Sequence, residues 1–178
     1  MKILVHTCCA PCANVYIGGL KSEGANCDLY WYNPNIHPFT EYRDRRDSLV
    51  KFAANREIEL VMEDYYGLKG FIAATFEHLH KPGQRCRVCY GMRMAAAARE
   101  AKNRGYEAFS STLLVSPYQD FEMLCEQGEA LAEKNGIKFV VRDFRENFRK
   151  GLNEARAQGY YMQKYCGCVF SEEERYDN

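Results

Sequence analysis

Net charge is missing from this 178-residue chain: 24 Lys and Arg offset 24 Asp and Glu. A balanced chain exerts no general pull on nucleic acid or on an anionic surface. No apolar run approaches the roughly 18 residues that a membrane span needs. Internal repeats, low-complexity tracts and Pro/Ser linkers are also missing, which excludes solenoids and flexible arrays. With 47% hydrophobic and 27% charged residues, the composition excludes a disordered tail, a collagen-like chain and a coiled coil. The opening MKILVHTCC holds too short an apolar stretch for an export signal, so a cytoplasmic location is expected. Stable disulfides are uncommon there. Against these absences stand nine cysteines.

Strand-like and helix-like runs alternate along the chain. Strands are predicted at Lys2–Thr7, Cys27–Tyr32, Ile58–Met62, Ala108–Val115 and Ile137–Val141. Helices are predicted at Cys12–Ser22, where Gly18-Gly19 weakens the pattern, and from an N-cap at Thr40 to about Arg56. Further helices are predicted at Gly70–His80, stopping near Pro82-Gly83, then at Cys86–Arg104, Gln119–Asn135 and Phe144–Gln158. Residues 1–170 are expected to form a single α/β domain, a parallel sheet with helices on both faces. Residues 171–178 are acidic and are expected to form a flexible tail. Ligands of such sheets sit at the carboxyl ends of strands. That places Cys8, Cys9 and Cys12, which follow the first strand, at the expected site.

Seven of the nine cysteines fall in three groups: CCAPC (Cys8, Cys9, Cys12), CRVC (Cys86, Cys89) and CGC (Cys166, Cys168). A C-x-x-C at a helix start turns both sulfurs toward one side, where the helix dipole favours thiolate. Gly167 allows a sharp bend between the last two. A structural zinc or one iron–sulfur cluster uses four ligands, so seven thiols exceed one site by three. The surplus points to a cluster plus a second metal or a redox pair, and the all-sulfur set favours thiophilic ions, iron–sulfur or zinc. Cys27 and Cys125 stand alone and read as packing residues.

Other residues are read more plainly. His6, inside a strand, reads as a satisfied core histidine, and His78 and His80 as surface residues. Asn33, Asn35 and His37 in the loop NPNIHP offer donors and acceptors at a strand end. Tyr118 and Gln119 could stack on and hydrogen-bond a base. Glu41, Asp64 and Asp143 are the candidate carboxylates for joining a metal site. Lys81–Arg104 holds seven Lys or Arg against one acid, Glu100, and could follow phosphates. A glycine-rich phosphate loop is absent after the first strand. Three thiols and a proline stand there, and they would cradle a phosphate poorly.

HTCCAPC, YNPNIHP, CRVCYGMRM, FSSTLLVSPYQ, DFR and YMQKYCGCVFS, in this order over nearly the whole chain, resemble the cobalamin-independent, QueH-type epoxyqueuosine reductases. The resemblance implies a fold similar to the adenine-nucleotide-hydrolase-like, Rossmann-like sheet. It implies reductive removal of the epoxide oxygen from epoxyqueuosine in the anticodon loop of tRNA, the last step of queuosine synthesis. It implies a 4Fe-4S cluster beside a mononuclear iron, with Cys8, Cys9, Cys12, Cys86, Cys89, Cys166 and Cys168 as the ligand set. Their division between the two centres stays open. Cys8 and Cys9, with Asp64 or Asp143, are the expected catalytic groups. Asn33, His37, Arg93, Tyr118 and Gln119 are the expected substrate contacts, with Tyr32 and Tyr165 as further stacking candidates. An unidentified electron donor is implied, and no membrane. The stretch FRENFRKGLNEA is interrupted differently from the family's FRKG pattern, which leaves the roles of Arg145, Arg149 and Lys150 open. Two other readings remain: a cluster-dependent tRNA sulfur transferase and a zinc-stapled tRNA-binding module.

Overall fold

The computed structural model describes residues 1–177. Five parallel strands form one sheet in the order β3-β2-β1-β4-β5. They are β1 (Lys2–His6), β2 (Asn26–Trp31), β3 (Leu60–Met62), β4 (Ala108–Ser111) and β5 (Lys138–Phe139). The central strand β1 buries Ile3, Leu4 and Val5 completely. A strand covered on both faces can carry such a continuous apolar run.

Helices α1 (Ala10–Ser22) and α2 (Phe39–Asn55) connect β1 to β2 and β2 to β3. Then α3 (Leu68–Thr75) and α4 (Pro82–Asn103) carry the chain back across the sheet to β4, and α5 (Phe121–Asn135) leads to β5. Right-handed crossovers put α1 and α2 on one face and α4 and α5 on the other. Two further helices follow, α6 (Phe148–Ala157), packed on α1, and α7 (Val169–Tyr176).

The direction of winding reverses between β1 and β4, so the chain leaves these neighbours toward opposite faces and opens a crevice. His6 pairs in register with Ser111, so the segments after both strands begin at one level.

The structure corrects several predicted boundaries. Helix α1 starts at Ala10 because Cys9 caps it, its sulfur accepting from the Cys12 amide at 3.3 Å. Gly18-Gly19 does not interrupt α1, and Gly19 makes room for the Phe144 ring, which a Cβ would approach to 2.5 Å. Pro38, not Thr40, precedes α2. Pro82 begins a helix rather than ending one, since a proline at the first helical position loses no hydrogen bond. Strand β4 stops at Ser111, whose hydroxyl accepts from the Leu113 amide and turns Thr112–Val115 into a 3-10 helix. The acidic end, expected to be frayed, is helical to Tyr176, with Cys168 capping its start.

Candidate functional site

The crevice between β1 and β4 opens into a cavity of about 710 Å³. Its lining includes Cys8, Cys12, Cys86, Cys89, Cys166 and Cys168. Cys9 lies buried directly beside them, its sulfur 3.8 Å from that of Cys8. Two thiolates on one tetrahedral ion at about 2.3 Å have nearly that separation. The ligand atoms of Cys8, Cys9 and Cys12 all fall within 4.8 Å of one another. Across the cavity, Cys89 feels the charges of Cys86, Cys166 and Cys168. The three groups, spread over 160 residues of sequence, therefore share one cavity.

Different elements carry them. Cys9 and Cys12 occupy the cap and first turn of α1, and Cys8 is held by its amide donating to Thr112 Oγ1 at 3.4 Å. Cys86 and Cys89, three apart, lie in the second and third turns of α4. Cys166 and Cys168 sit on a loop where Gly167 adopts φ 139°. A Cβ there would press on Arg45 Nη1 at 3.2 Å and Ile36 Cγ1 at 3.3 Å.

That loop is fastened from α2 and from the loop after β2. Arg45 is 1% exposed and donates to the carbonyls of Cys166 and Tyr165, both at 2.9 Å. Its Nε donates to Glu41 at 2.6 Å, and Tyr161 hydroxyl donates to the other Glu41 oxygen. The His37 amide donates to Gly167 O at 2.7 Å, and Tyr165 hydroxyl donates to His37 O.

Burial holds most of these sulfurs as thiols, raising Cys9, Cys86 and Cys166, while hydrogen bonds with Cys8 and Cys9 raise Cys12; buried cations oppose this. Arg93, also 1% exposed, donates through Nη2 to Cys89 Sγ at 3.2 Å and feels Cys166 and Cys8. Hydrogen bonds from Cys12 and Cys9 hold Cys8 well below the usual thiol range. Burial pushes Cys89 up to about 12 against the pull of Arg93, so any metal binding there would have to displace its proton. Neutral amides complete the wall. Gln119 Nε2 donates to Cys166 Sγ at 3.4 Å, and Gln163 Nε2 donates to Cys9 Sγ at 3.0 Å.

The remaining expected residues are placed less uniformly. Tyr118, 84% exposed, and Gln119 line the cavity, as does Tyr165. Arg93 lines it too, almost fully buried, with its guanidinium spent on Cys89 O and Sγ. Asn33 is fully buried, accepting from His6 and donating to Thr7 O at 2.9 Å. His37 is buried against Tyr66 and Phe71, and burial lowers its pKa to about 4. Both hold the loop that supports the CGC segment, and neither lines the cavity, nor does Tyr32, stacked on Tyr30. Asp64 is exposed at the sheet edge, bonded to Tyr42 and Arg46. Asp143 is exposed and paired with Arg145. Neither carboxylate lines the cavity, and Glu41 is occupied by Arg45.

His6 is fully buried with hydrogen bonds on both ring nitrogens, as its strand position implied. Cys27 is buried and Cys125 half-buried, away from the cavity. Sequence reasoning missed Arg45, Tyr161 and Gln163. The last two lie inside the quoted stretch YMQKYCGCVFS, but nothing in its spacing marks them. Among the described residues no helix is long and apolar enough to cross a membrane.

Comparison with known proteins gives a consistent picture. A family model described as Epoxyqueuosine reductase QueH matches residues 3–174. A protein of that name from Dehalococcoides mccartyi is 36% identical over 98% of this chain and 94% of its own. One from Thermotoga maritima is 34% identical over 97% and 91%. A crystal structure described as a predicted subunit of tRNA methyltransferase from Methanocaldococcus jannaschii superposes with a TM-score of 0.53 at 13% identity, covering 92% of this chain and 94% of that one. At that identity it speaks to the Rossmann-like α/β fold alone.

Proposed function

The chain belongs to the epoxyqueuosine reductase QueH family, a family of oxidoreductases, and from that premise we propose that it reduces epoxyqueuosine to queuosine in tRNA. The epoxide takes up two electrons and two protons, its two C–O bonds break, and an alkene and water leave. The electrons come from a separate donor, and the reaction takes place in the cytoplasm.

One observation carries this reading: seven thiols from three distant segments surround one cavity at the switch point of the sheet. The donor set fits the family's iron centres. It is all sulfur, the buried guanidinium groups of Arg45 and Arg93 offset thiolate charge, and the acid in the lining, Glu174, is bonded to the buried Arg85. Cys8, Cys9, Cys12, Cys86, Cys89, Cys166 and Cys168 would hold a 4Fe-4S cluster and an adjacent iron. When bound, these centres supply single electrons and a Lewis acid for the epoxide oxygen.

The rest of the chemistry belongs to the chain. Arg45 and Glu41 fix the CGC loop so that its sulfurs face those of α1 and α4. Arg93, Gln119 and Gln163 donate to sulfurs and so favour their anionic form. Tyr118 and Tyr165 offer aromatic faces on which a base extruded from an unpaired loop can stack. The cavity volume is within the range of small-molecule sites.

Anaerobic reconstitution with iron and sulfide tests the reading. About five irons and four sulfides per chain are expected from one cluster and one lone ion. The loaded protein should convert epoxyqueuosine-containing tRNA with a chemical reductant, and chelation should abolish turnover. A colourless protein holding only zinc, with no reduction of the epoxide, would sink it.

A further inference from the structure

Gln163 lies between the thiols and the open cavity. Its amide nitrogen is 3.0 Å from Cys9 Sγ and 3.8 Å from Cys12 Sγ. Its side chain lines the cavity, and its carbonyl oxygen Oε1 is buried without a hydrogen-bond partner. The orientation of the amide follows from chemistry. Once it holds a metal the Cys9 sulfur is a thiolate that only accepts hydrogen bonds, so the NH2 group faces the sulfurs, as it does here, and the oxygen points away from them. The backbone on both sides is fixed: the Tyr161 amide donates to Ser48 Oγ at 2.9 Å, and Arg45 holds the Tyr165 carbonyl. The side chain cannot swing out to find water without giving up a bond to sulfur. A buried acceptor left in this state is destabilising until something donates to it.

We propose that Gln163 joins the thiol site to the substrate: its amide donates to the Cys9 sulfur while Oε1 accepts from a donor on the bound nucleoside. The proposal rests on the reading of the reaction given above. The fitting donor is a hydroxyl of the ring that carries the epoxide, because that ring must lie against the thiol wall to react. Donation to a ligand sulfur stabilises added negative charge, so it raises the reduction potential of the centre that Cys9 serves. Acceptance from the substrate hydroxyl fixes the ring. A nucleoside lacking that hydroxyl would leave Oε1 unpaired and be rejected.

Three proteins separate these effects: wild type, Gln163→Leu and Gln163→Glu, each reconstituted anaerobically and assayed for iron and sulfide. Gln163→Glu keeps the acceptor and the length but loses the donor. Both variants should load iron as wild type does and titrate at more negative potential by spectroelectrochemistry, Gln163→Glu the more so because it adds charge. KM for the modified tRNA should rise about tenfold in Gln163→Leu, the equivalent of one hydrogen bond, and stay near wild type in Gln163→Glu. Unchanged potentials in loaded variants would overturn the bond to Cys9. An equal rise of KM in both variants, or none in Gln163→Leu, would overturn the acceptor role. If wild type itself fails to reduce the epoxide, the reading of the reaction fails, whereas the potentials still test the sulfur bond.

Discussion

Arg45 shows how one buried side chain organises a site built from distant segments. Its guanidinium bonds Glu41 one turn away and two carbonyls some 120 residues later. Replacing it by Met leaves the Glu41 carboxylate buried without its cation, at a cost of about 3–5 kcal/mol. Thermal unfolding should show this loss, and iron loading should fall because the CGC loop is no longer held. Arg45→Lys should rescue little, since an ammonium cannot reproduce the planar fork across three acceptors. The double variant Glu41→Gln with Arg45→Met should recover part of the stability, because the unpaired charge is gone. An Arg45→Met protein as stable as wild type would refute this account. The seven cysteines were legible in the sequence because thiols at short spacing are rare and chemically distinctive. Arg45 and Gln163 were not, because an arginine in a charged helix and a glutamine in a loop look ordinary until folding brings Cys166 and Cys9 to them. Asp64 and Asp143 fail for the opposite reason: their chemistry suits a metal, but nearby arginines and the surface already satisfy them.

The alternation of helices and strands could be read because apolar periodicity changes at each element. Their ends could not, because ends depend on local capping and on tertiary packing. The Ser111 hydroxyl stops β4 where apolar residues continue to Val115, and Cys9 extends α1 backward through a sulfur cap. Glycine makes the same distinction. Gly18 and Gly151 both sit inside helices, yet only Gly18 has open space around its missing Cβ. At Gly151, where α6 crosses α1, a Cβ would come within 2.2 Å of Val15 Cγ2. Val15 is β-branched and stiff in its helix, so it cannot turn aside. Gly18→Ala should therefore raise stability by about 0.5–1 kcal/mol through helix propensity. Gly151→Ala should lower it, the same gain being outweighed by overpacking of about 1–3 kcal/mol. The pair is read by thermal unfolding, where each kcal/mol moves Tm by roughly 2–4 °C for a chain of this size. A rise in both variants would mean that α6 moves away from α1 at little cost.

At the scale of the whole molecule, the parallel sheet dictates where tRNA must approach. The sequence drew attention to the basic run Lys81–Arg104, in whose C-terminal half Arg99 and Lys102 are exposed. In the fold, α4 begins at the cavity and runs away from it. At 1.5 Å per residue, Arg99 lies about 15 Å and Lys102 about 20 Å beyond Cys89 along the helix axis. Lys102 instead lines a shallow groove with Tyr106 and Glu133 near the opposite end of the sheet, and it bonds Gly136 O at 3.2 Å. The exposed cations that do line the thiol cavity are Arg156, Lys164 and Arg175, and the exposed ring of Tyr118 shares that lining. An RNA loop that inserts a base into the cavity brings its phosphates against these three. Replacing Lys164 and Arg175 together by Gln should weaken tRNA binding. It should also flatten the dependence of log affinity on log salt by about 1.4, from two lost contacts at about 0.7 each for unpaired strands. Replacing Arg99 and Lys102 should leave both quantities unchanged. Filter-binding or fluorescence titrations over a range of salt concentrations distinguish the two pairs. If the second pair flattens the slope and the first does not, the RNA lies along α4, and the cavity mouth must be reached from a direction that the fold does not favour.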